Sequence, residues 1–542
     1  MINKKDLINW FKRYGSIDLG VVLLAVWILI CHYLHGNYAC VTDFLRNIGQ
    51  RNVALILFYY SVSRLSFHFL KRESYVITLI VILLVSISEA YAGIQQLLQG
   101  VPYPVGTLLN PNIFACLLSV TCSILVVIIF RLKRRLFRVL LYCIVGTCAI
   151  LMFCSKSRLA LLSVIVPILC FLSLNPRFSG IVKRHIISIC IVLVATFTAL
   201  YFLKKPSADG RVYMAKIATK AIIHNGIWGT GPDSYAGRFG QEQHRHFSDG
   251  GDDADINTLL LFDSRDAKFA CTPLTSFNEF LGIGVEYGVV AMLLALYIML
   301  RAVLVHIRIG SPLGYGLLSM FIVSQFSYPH CYSVYCLLLS IFTGAAGSMD
   351  YRMKEEYKSC TWIVNVVEAL FFGLMLFLEL PQMDIKKQID DRESDMAFFF
   401  KNQEYSIVCD YCNGIPDKEL FSLNLLYEYG VSLSMTGQYE KSDSILRVGA
   451  SRSSNPGFWH EIGHNYVRSK SFDKAEQSYI RSFLMVPNRM TPLLYLAQLY
   501  HSIGDKEKLD GIAAFADTFK PKVPSYTTKE YHETIKRLAD GE

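Results

Sequence analysis

Charged and amide side chains stand inside or at the mouths of apolar runs at four places in this sequence. In SISEAYAGIQQLL, Glu89, Gly93 and Gln96 fall at i, i+4 and i+7, one face of a helix. That run leads into PYPVGTLLNPNIFACLLS, with Gly106, Asn110 and Asn112. In CSKSRLALLSV, Ser157 and Arg158 fall between two apolar runs joined with almost no loop. In the polar stretch DGRVYMAKIATKAIIHNGIWGTGPDSYAGRFGQEQHRHF, Arg211 follows a glycine, and His224, His244 and His246 come later. In TPLTSFNEFLGIGVEYGVV, Asn278 leads into Glu279, Gly282 and Glu286 at i, i+3 and i+7, one stripe at the head of an apolar helix. Charges at membrane depth are costly and mark either function or a paired network. A guanidinium grips phosphate oxygens two at a time; a carboxylate or imidazole moves protons.

Each set also has a plainer reading. Asn-Pro-Asn is good capping chemistry at a helix start. Glu279 suits the first turn of a helix, where an acid complements the macrodipole. Arg158 is either a site residue or the charge that neutralises a helix end. His-Arg-His lacks an acid or cysteine spaced to complete a metal site, so these read as surface histidines. The G-x-G of GIWGTGPDSY follows no strand, which argues against a nucleotide fold.

The elements that position these residues are membrane helices. The chain has 542 residues, 53% of them hydrophobic, and a mean hydropathy of +0.35. Apolar runs of membrane-helix character recur, among them Leu19 to Leu34, Ile113 to Phe130, Phe280 to Val305 and Trp362 to Leu378. The alternating segments of about ten residues that mark a β-barrel are missing. The first run lacks a small-residue cleavage site and reads as a membrane helix, with a signal peptide as the weaker alternative.

Net charge is +9, and basic clusters at alternating ends of the spans account for it. By the positive-inside rule they predict about eleven spans, the N-terminus cytoplasmic and the C-terminus outside. No basic stretch is interleaved with aromatics in the manner of a nucleic-acid site. The 15 cysteines lie mostly within apolar segments. Cys409 and Cys412, in VCDYCNG, form a lone C-x-x-C, a weak metal signal that also fits a local disulfide or plain helix packing. The expected organisation is a polytopic membrane domain over residues 1–381, with a large outer loop at 204–277, followed by a separate domain over 382–542. Loops of that length in a compact protein are usually functional.

In the second domain hydropathy falls and a repeat appears. Tyr405, Tyr439, Phe472 and Lys506 align in KNQEYSIVCDY, TGQYEKSDSIL, SKSFDKAEQSY and IGDKEKLDGIA, at spacings of 34, 33 and 34 residues. The later units close on Pro456, Pro487 and Pro521. This resembles the tetratricopeptide repeat, which implies helix pairs stacked in an α-solenoid, the degenerate fourth unit acting as a cap.

Taken in order, the polar clusters resemble the O-antigen ligase and polymerase superfamily of bacterial membrane glycosyltransferases. Glu89, Gly93 and Gln96 match its E…G..Q helix. Gly106, Thr107 and Asn110-Pro111-Asn112 match its GTF.NPN turn. Ser157-Arg158 match its SR helix start. Gly210-Arg211 with Gly229, Gly231 and Tyr235 match its outer loop, and Asn278, Leu281, Glu286 and Gly288 match most of HN..L….E.G. The resemblance runs from about Ser86 to Val305. It implies a metal-independent, cofactor-free transferase in the bacterial inner membrane, moving a glycan from an undecaprenyl diphosphate carrier to lipid A–core, a protein hydroxyl or a growing glycan on the outer face. Arg158 and Arg211 then hold the donor diphosphate; Glu89, Gln96, Asn110, Asn112, Asn278 and Glu286 line the cavity; and the repeats, in the periplasm, offer a surface to a protein partner.

One motif position departs. Where the family has a histidine that activates the acceptor, this chain has Phe277, which takes no proton. Glu279, two residues on, is the first candidate for that work, and His244 or His246 the second. The rival readings are a polymerase of the same superfamily and a non-catalytic scaffold acting through its repeats. A transporter would show symmetry between helix sets, and none is visible.

Overall fold

The computed structural model describes residues 16–35, 48–203, 205–248, 255–352, 361–378, 380–415 and 421–541. Among the described residues the chain is helical throughout, without a strand. In chain order the helices are α1 (Ser16–His35), α2 (Ile48–Phe69), α3 (Lys71–Leu98), α4 (Pro111–Arg131), α5 (Arg135–Cys154), α6 (Arg158–Leu174) and α7 (Pro176–Leu203). Then come α8 (Lys205–Asn225), α9 (Tyr235–Phe247), α10 (Ile256–Leu260), α11 (Glu279–Ile309), α12 (Leu313–Phe326), α13 (Ser333–Arg352) and α14 (Thr361–Leu378). The C-terminal part holds α15 (Leu380–Lys401), α16 (Tyr405–Asn413), α17 (Leu423–Met435), α18 (Tyr439–Arg452), α19 (Gly457–Arg468), α20 (Phe472–Met485), α21 (Thr491–Ile503), α22 (Lys506–Thr518) and α23 (Tyr526–Asp540). The chain divides into two compact units, residues 1–208 with 277–378, and residues 209–276 with 379–542.

The first unit is a bundle built around α4. This helix is apolar on all sides and is buried accordingly, packed by α5, α6 and α12. Small hydroxyls tie the three central helices together: Ser119 on α4 lies 2.6 Å from Ser163 on α6 and 3.2 Å from Ser319 on α12. Such residues let helix backbones approach where lipid supplies no hydrophobic drive. Helix α1 packs on α11 and α13, and α2 on α13 and α14.

Six helices among the described residues are long and apolar enough to cross a membrane: α1, α3, α4, α5, α11 and most of α13. Helix α6 with the first part of α7 makes a pair bent by 111°, and shorter apolar helices cover 53–69, 313–326 and 363–374. Against the eleven spans expected, the described residues thus hold six helices of spanning length, or seven if the bent pair is one crossing. Pro176 and Pro329 stand at two of the breaks, where the missing N–H cannot continue a helix. The basic cluster at Lys4 to Arg13 and most of that at Tyr351 to Lys358 lie outside the described residues.

In the second unit, α16, α18, α20 and α22 begin at Tyr405, Tyr439, Phe472 and Lys506, the four positions of the sequence period. Helix α17 packs on α18, α19 on α20, and α21 on α22, and each later pair packs on the one before. Gly430 and Gly463 stand at matching places: a Cβ there would come within 2.5 Å of Leu446 and 2.4 Å of Tyr479 on the next helix. Cys409 and Cys412 are buried core residues.

The stretch expected as an outer loop is helical and packs within this same unit. Helix α9 lies on α18 and α20. Gly237 meets the Ser451 carbonyl so closely that any side chain would collide with it. Gln243 donates to the carbonyls of Met485 and, at 3.1 Å, Cys271. Asn488 donates to the carbonyls of Ala267 and Ala270 at 2.8 and 3.0 Å. Val212 to His224 lie within helix α8, which runs from Lys205 to Asn225.

Candidate functional site

The motif residues of the first unit gather at one end of the bundle, each held by the helix end or turn beside it. Glu89 is buried on α3 and reaches the irregular turn that follows. It accepts the Thr107 N–H at 3.0 Å and also the Thr107 hydroxyl. Gln96, two turns further along the helix, accepts the N–H groups of Val105 and Gly106 at 2.8 and 2.9 Å and donates to the Gly106 carbonyl at 2.8 Å. Both residues therefore hold the turn in place. Gly106 has φ +58, and a Cβ there would fall 2.1 Å from Glu89 Oε2 and 2.5 Å from Phe114. A left-handed, tightly enclosed position of this kind accepts only glycine without strain.

Three helix starts converge on the same end. Asn110 caps α4, its Oδ1 accepting from the N–H groups of Asn112 and Ile113, and its Nδ2 donates to Tyr328 Oη at 2.9 Å. Ser157 caps α6 and donates to Asn112 Oδ1 at 2.6 Å. Asn112 Nδ2 in turn lies 3.4 Å from Ser327 Oγ. Asn278 caps α11 and donates to the carbonyl oxygen of Gln325 at 3.1 Å. The plainer reading of these asparagines as caps holds, and their second contacts do further work by tying separate helix ends together. Arg158, half-buried, is the first residue of α6 and follows directly on this network.

The hub is the turn Ser327-Tyr328-Pro329-His330, between α12 and α13, which the sequence motifs did not single out. Phe277 packs edge-on against Tyr328, ring centres 5.2 Å apart. Glu279 accepts the backbone N–H of His330 at 2.7 Å through Oε1, and its Oε2 faces the imidazole Nδ1 at 3.5 Å. Spacing along the chain does not signal this contact, because the partners stand 51 residues apart. The usable sign was the Tyr-Pro-His sequence itself, polar chemistry at an otherwise apolar helix junction.

Helix α11 is not continuous. Gly288 has φ 81 and ψ 173, so the polar first segment, with Glu279 and half-buried Glu286, ends there. The break frees the Tyr287 carbonyl, which takes the Trp27 indole N–H at 2.8 Å. Kinks of this sort need such a replacement partner in a membrane.

The other end of the unit is charged and closed. Arg64, 1% exposed, grips Asp18 through Nε and Nη2 at 3.0 to 3.2 Å, and Tyr60 donates to the same carboxylate at 2.6 Å. Asp350 accepts from Ser16 N–H and hydroxyl at 2.9 and 2.6 Å and from Arg301 at 2.6 Å.

Arg211, His244 and His246 belong to the second unit. Arg211 is half-buried on α8, and His244 is buried on α9. Both ring nitrogens of His246 are engaged: Nδ1 accepts from Lys220 at 2.9 Å and Nε2 donates to Asp266 at 3.0 Å. Burial pushes the His246 imidazole below its ordinary pKa, the neighbouring lysines adding to this against the opposing pull of Asp266. Asp266 is itself held low, first by Lys216 and then by His246. Among the described residues no group of three His, Cys, Asp or Glu side chains is placed to hold a metal ion.

No protein-family model matches the chain, and no curated protein matches it.

Proposed function

We propose that this chain is a membrane glycosyltransferase of the O-antigen ligase type, moving a glycan from an undecaprenyl diphosphate carrier to lipid A–core or a protein hydroxyl on the outer face of a bacterial inner membrane. The observation that carries the reading is the gathering of dispersed motif residues. Glu89, Gln96, Asn110, Asn112, Ser157, Asn278 and Glu279 all come to one end of the bundle, held by hydrogen bonds to turns and helix ends. In this reading about eleven spans cross the bilayer, with the N-terminus cytoplasmic. The repeats form a periplasmic tetratricopeptide solenoid that carries the acceptor's or a partner's recognition.

The chemistry asks for few groups. The acceptor oxygen attacks the anomeric carbon, the carbon–oxygen bond to the diphosphate breaks, and its electron pair leaves with the diphosphate. Arg158, at the start of α6, spreads that charge over fixed donors, worth most where water is excluded; Arg211 is given the same task by its motif position alone. Glu89 and Gln96 act at one remove, by fixing the turn at residues 105–107.

A second reading, a scaffold without chemistry, is favoured by Phe277 alone. The test is the surface glycan profile of a deletion strain complemented with variants. A ligase leaves lipid A–core bare and polymer on its carrier when deleted; a polymerase leaves core capped with one unit. Arg158→Ala and Arg211→Ala are each expected to reproduce the deletion. A wild-type profile with either variant would sink the transferase reading.

A further inference from the structure

Resting on that transferase reading for the source of its ligand, we infer that the second unit holds a binding site for an acidic hexose of the glycan, a six-membered sugar ring that bears a carboxylate. The site is a cavity of about 150 Å³ between α9 and the repeats. Arg447 on α18, Trp459 on α19 and Arg481 on α20 line it, and Gln241 on α9 closes it from outside the repeats. Helix α9 lies on α18 and α20, the second helices of successive pairs. Arg447 has 46% of its side chain exposed, so the cavity is reached from solvent.

Charge is the first part of the argument. Arg447 and Arg481 stand about one sequence period apart, and the indole of Trp459 draws both to itself. Their guanidinium carbons lie 5.5 and 4.2 Å from its ring centre, an attraction between cation and aromatic ring that places two like charges around one recess. Arg447 is held further by Asp443 at 2.9 Å through Nε and by the Tyr466 hydroxyl at 3.0 Å through Nη2. These contacts fix the fork and leave Nη1. Gln241 accepts from Arg238 at 2.8 Å through Oε1, which leaves its amide N–H groups. Guanidinium and amide N–H groups only donate, so the matching ligand accepts hydrogen bonds and carries negative charge.

Size and lining supply the second part. A space of this volume accommodates one six-membered ring. Ala450, Met485 and the indole form an apolar lining, which suits the C–H face of a sugar. Ser451 also lines the cavity; its hydroxyl donates to the Val448 carbonyl at 2.8 Å, so the oxygen is left to accept from a sugar hydroxyl. A bare phosphate would use the donors and leave the apolar lining empty. A neutral sugar would use the lining and leave the guanidinium charge unmatched. A ring with a carboxylate at its edge meets both. The two arginines, held in place before the ligand arrives, lose little freedom on binding it.

The experiment titrates the full chain in detergent with trigalacturonate and follows tryptophan fluorescence and binding heat. Saturable binding is expected, with the fluorescence change abolished in Trp459→Phe. Arg447→Gln should raise Kd by about tenfold or more, and Arg447→Lys, which keeps the charge without the fork, should recover part of that. The methyl ester of trigalacturonate, inorganic phosphate and a glutamate oligomer should each bind at least tenfold more weakly, on the order of one lost charged hydrogen bond. Should Arg447→Gln fail to fold, Gln241→Ala is read in its place. No saturable binding overturns the inference, as does a Kd unchanged in the folded variant or a fluorescence change that survives Trp459→Phe. Equal affinity for the ester, for phosphate or for the peptide overturns the acidic sugar as the ligand. Binding is measured without donor or transfer, so the two ideas fail separately: normal transfer by Arg158→Ala sinks the transferase reading, whereas an inactive Arg158→Ala beside a chain that does not bind trigalacturonate removes only this site.

Discussion

The two ends of the membrane unit handle polar groups in opposite ways. At one end, full charges are matched with full charges. Asp18 meets Arg64 and Asp350 meets Arg301, with Tyr60 and Ser16 filling remaining positions. At the other, the polar groups are mostly amides, hydroxyls and carboxylates that hold backbone: Gln96 on the 105–106 turn, Glu89 on Thr107, Glu279 on the N–H of His330. The first pattern fastens helices to one another. The second fixes irregular segments, and irregular backbone at membrane depth is tolerated where it borders a cavity or is covered by protein. The difference separates polar residues that lock a bundle from those that hold irregular turns, although hydropathy registers both as the same interruption.

Breaking the closed end should have the largest effect. Arg64→Leu leaves the Asp18 carboxylate buried with its main partner gone, and one-sided removal of a buried pair costs about 3–5 kcal/mol. A thermal melt of the full chain in detergent should show the loss, and Asp18→Asn combined with Arg64→Leu should recover much of it. A single variant as stable as the wild type would mean that this end does not lock the bundle.

Acid supplies a contrast from the second unit, where buried His460 and half-buried His464 face only like charges. Burial holds His460 at about 3 and His464 at about 4. Their folded pKa values are depressed, so this stability is fully present above the ordinary pKa of 6.5 and is lost as pH falls toward those values. By pH 5 each costs on the order of 2 kcal/mol. His464→Gln should flatten the pH dependence between 6.5 and 4; an unchanged slope would show that the ring is not responsible.

At the end that gathers the motif residues, Gly106→Ala forces a side chain into a left-handed position facing Glu89 and Phe114. A cost of about 1–3 kcal/mol is expected. Transfer should fall more than stability does, since the turn moves while the bundle persists. Equal losses in both would count against a site there. Ser157→Ala is milder, about 1 kcal/mol for a lost cap. Its sharper sign should be a raised donor KM, because the start of α6 carries Arg158. An unaltered KM would separate the cap from donor binding.

Much of this organisation was legible in the chain. The period marked by Tyr405, Tyr439, Phe472 and Lys506 coincides with four helix starts, because a repeat imposes its boundaries on sequence and fold alike. Glu89 and Gln96 were visible as one helix face, and what they hold lies 9 to 18 residues beyond, in the next turn of the chain. The hub residues were hidden for a physical reason. Gln325, Tyr328 and His330 touch partners 47 to 218 residues away, and spacing along a helix says nothing about such pairs. Asp18 was hidden as well, a lone acid in an apolar run whose partner sits 46 residues on. The polar stretch after residue 208 looked like a loop because its helices are amphipathic or short, and only their packing with the repeats shows where their apolar faces go.

Gly288 acts as a ruler. Uninterrupted, α11 has 31 residues and would measure roughly 46 Å, against a hydrocarbon layer of about 30 Å. Counted from the break to Ile309, the remaining helix is roughly 33 Å long, close to one bilayer core. The segment from Glu279 to Tyr287 is then surplus length, roughly 13 Å that need not enter lipid. One glycine thus lets a single run of sequence supply both a helix of full bilayer width and a separate polar segment that the crossing does not require.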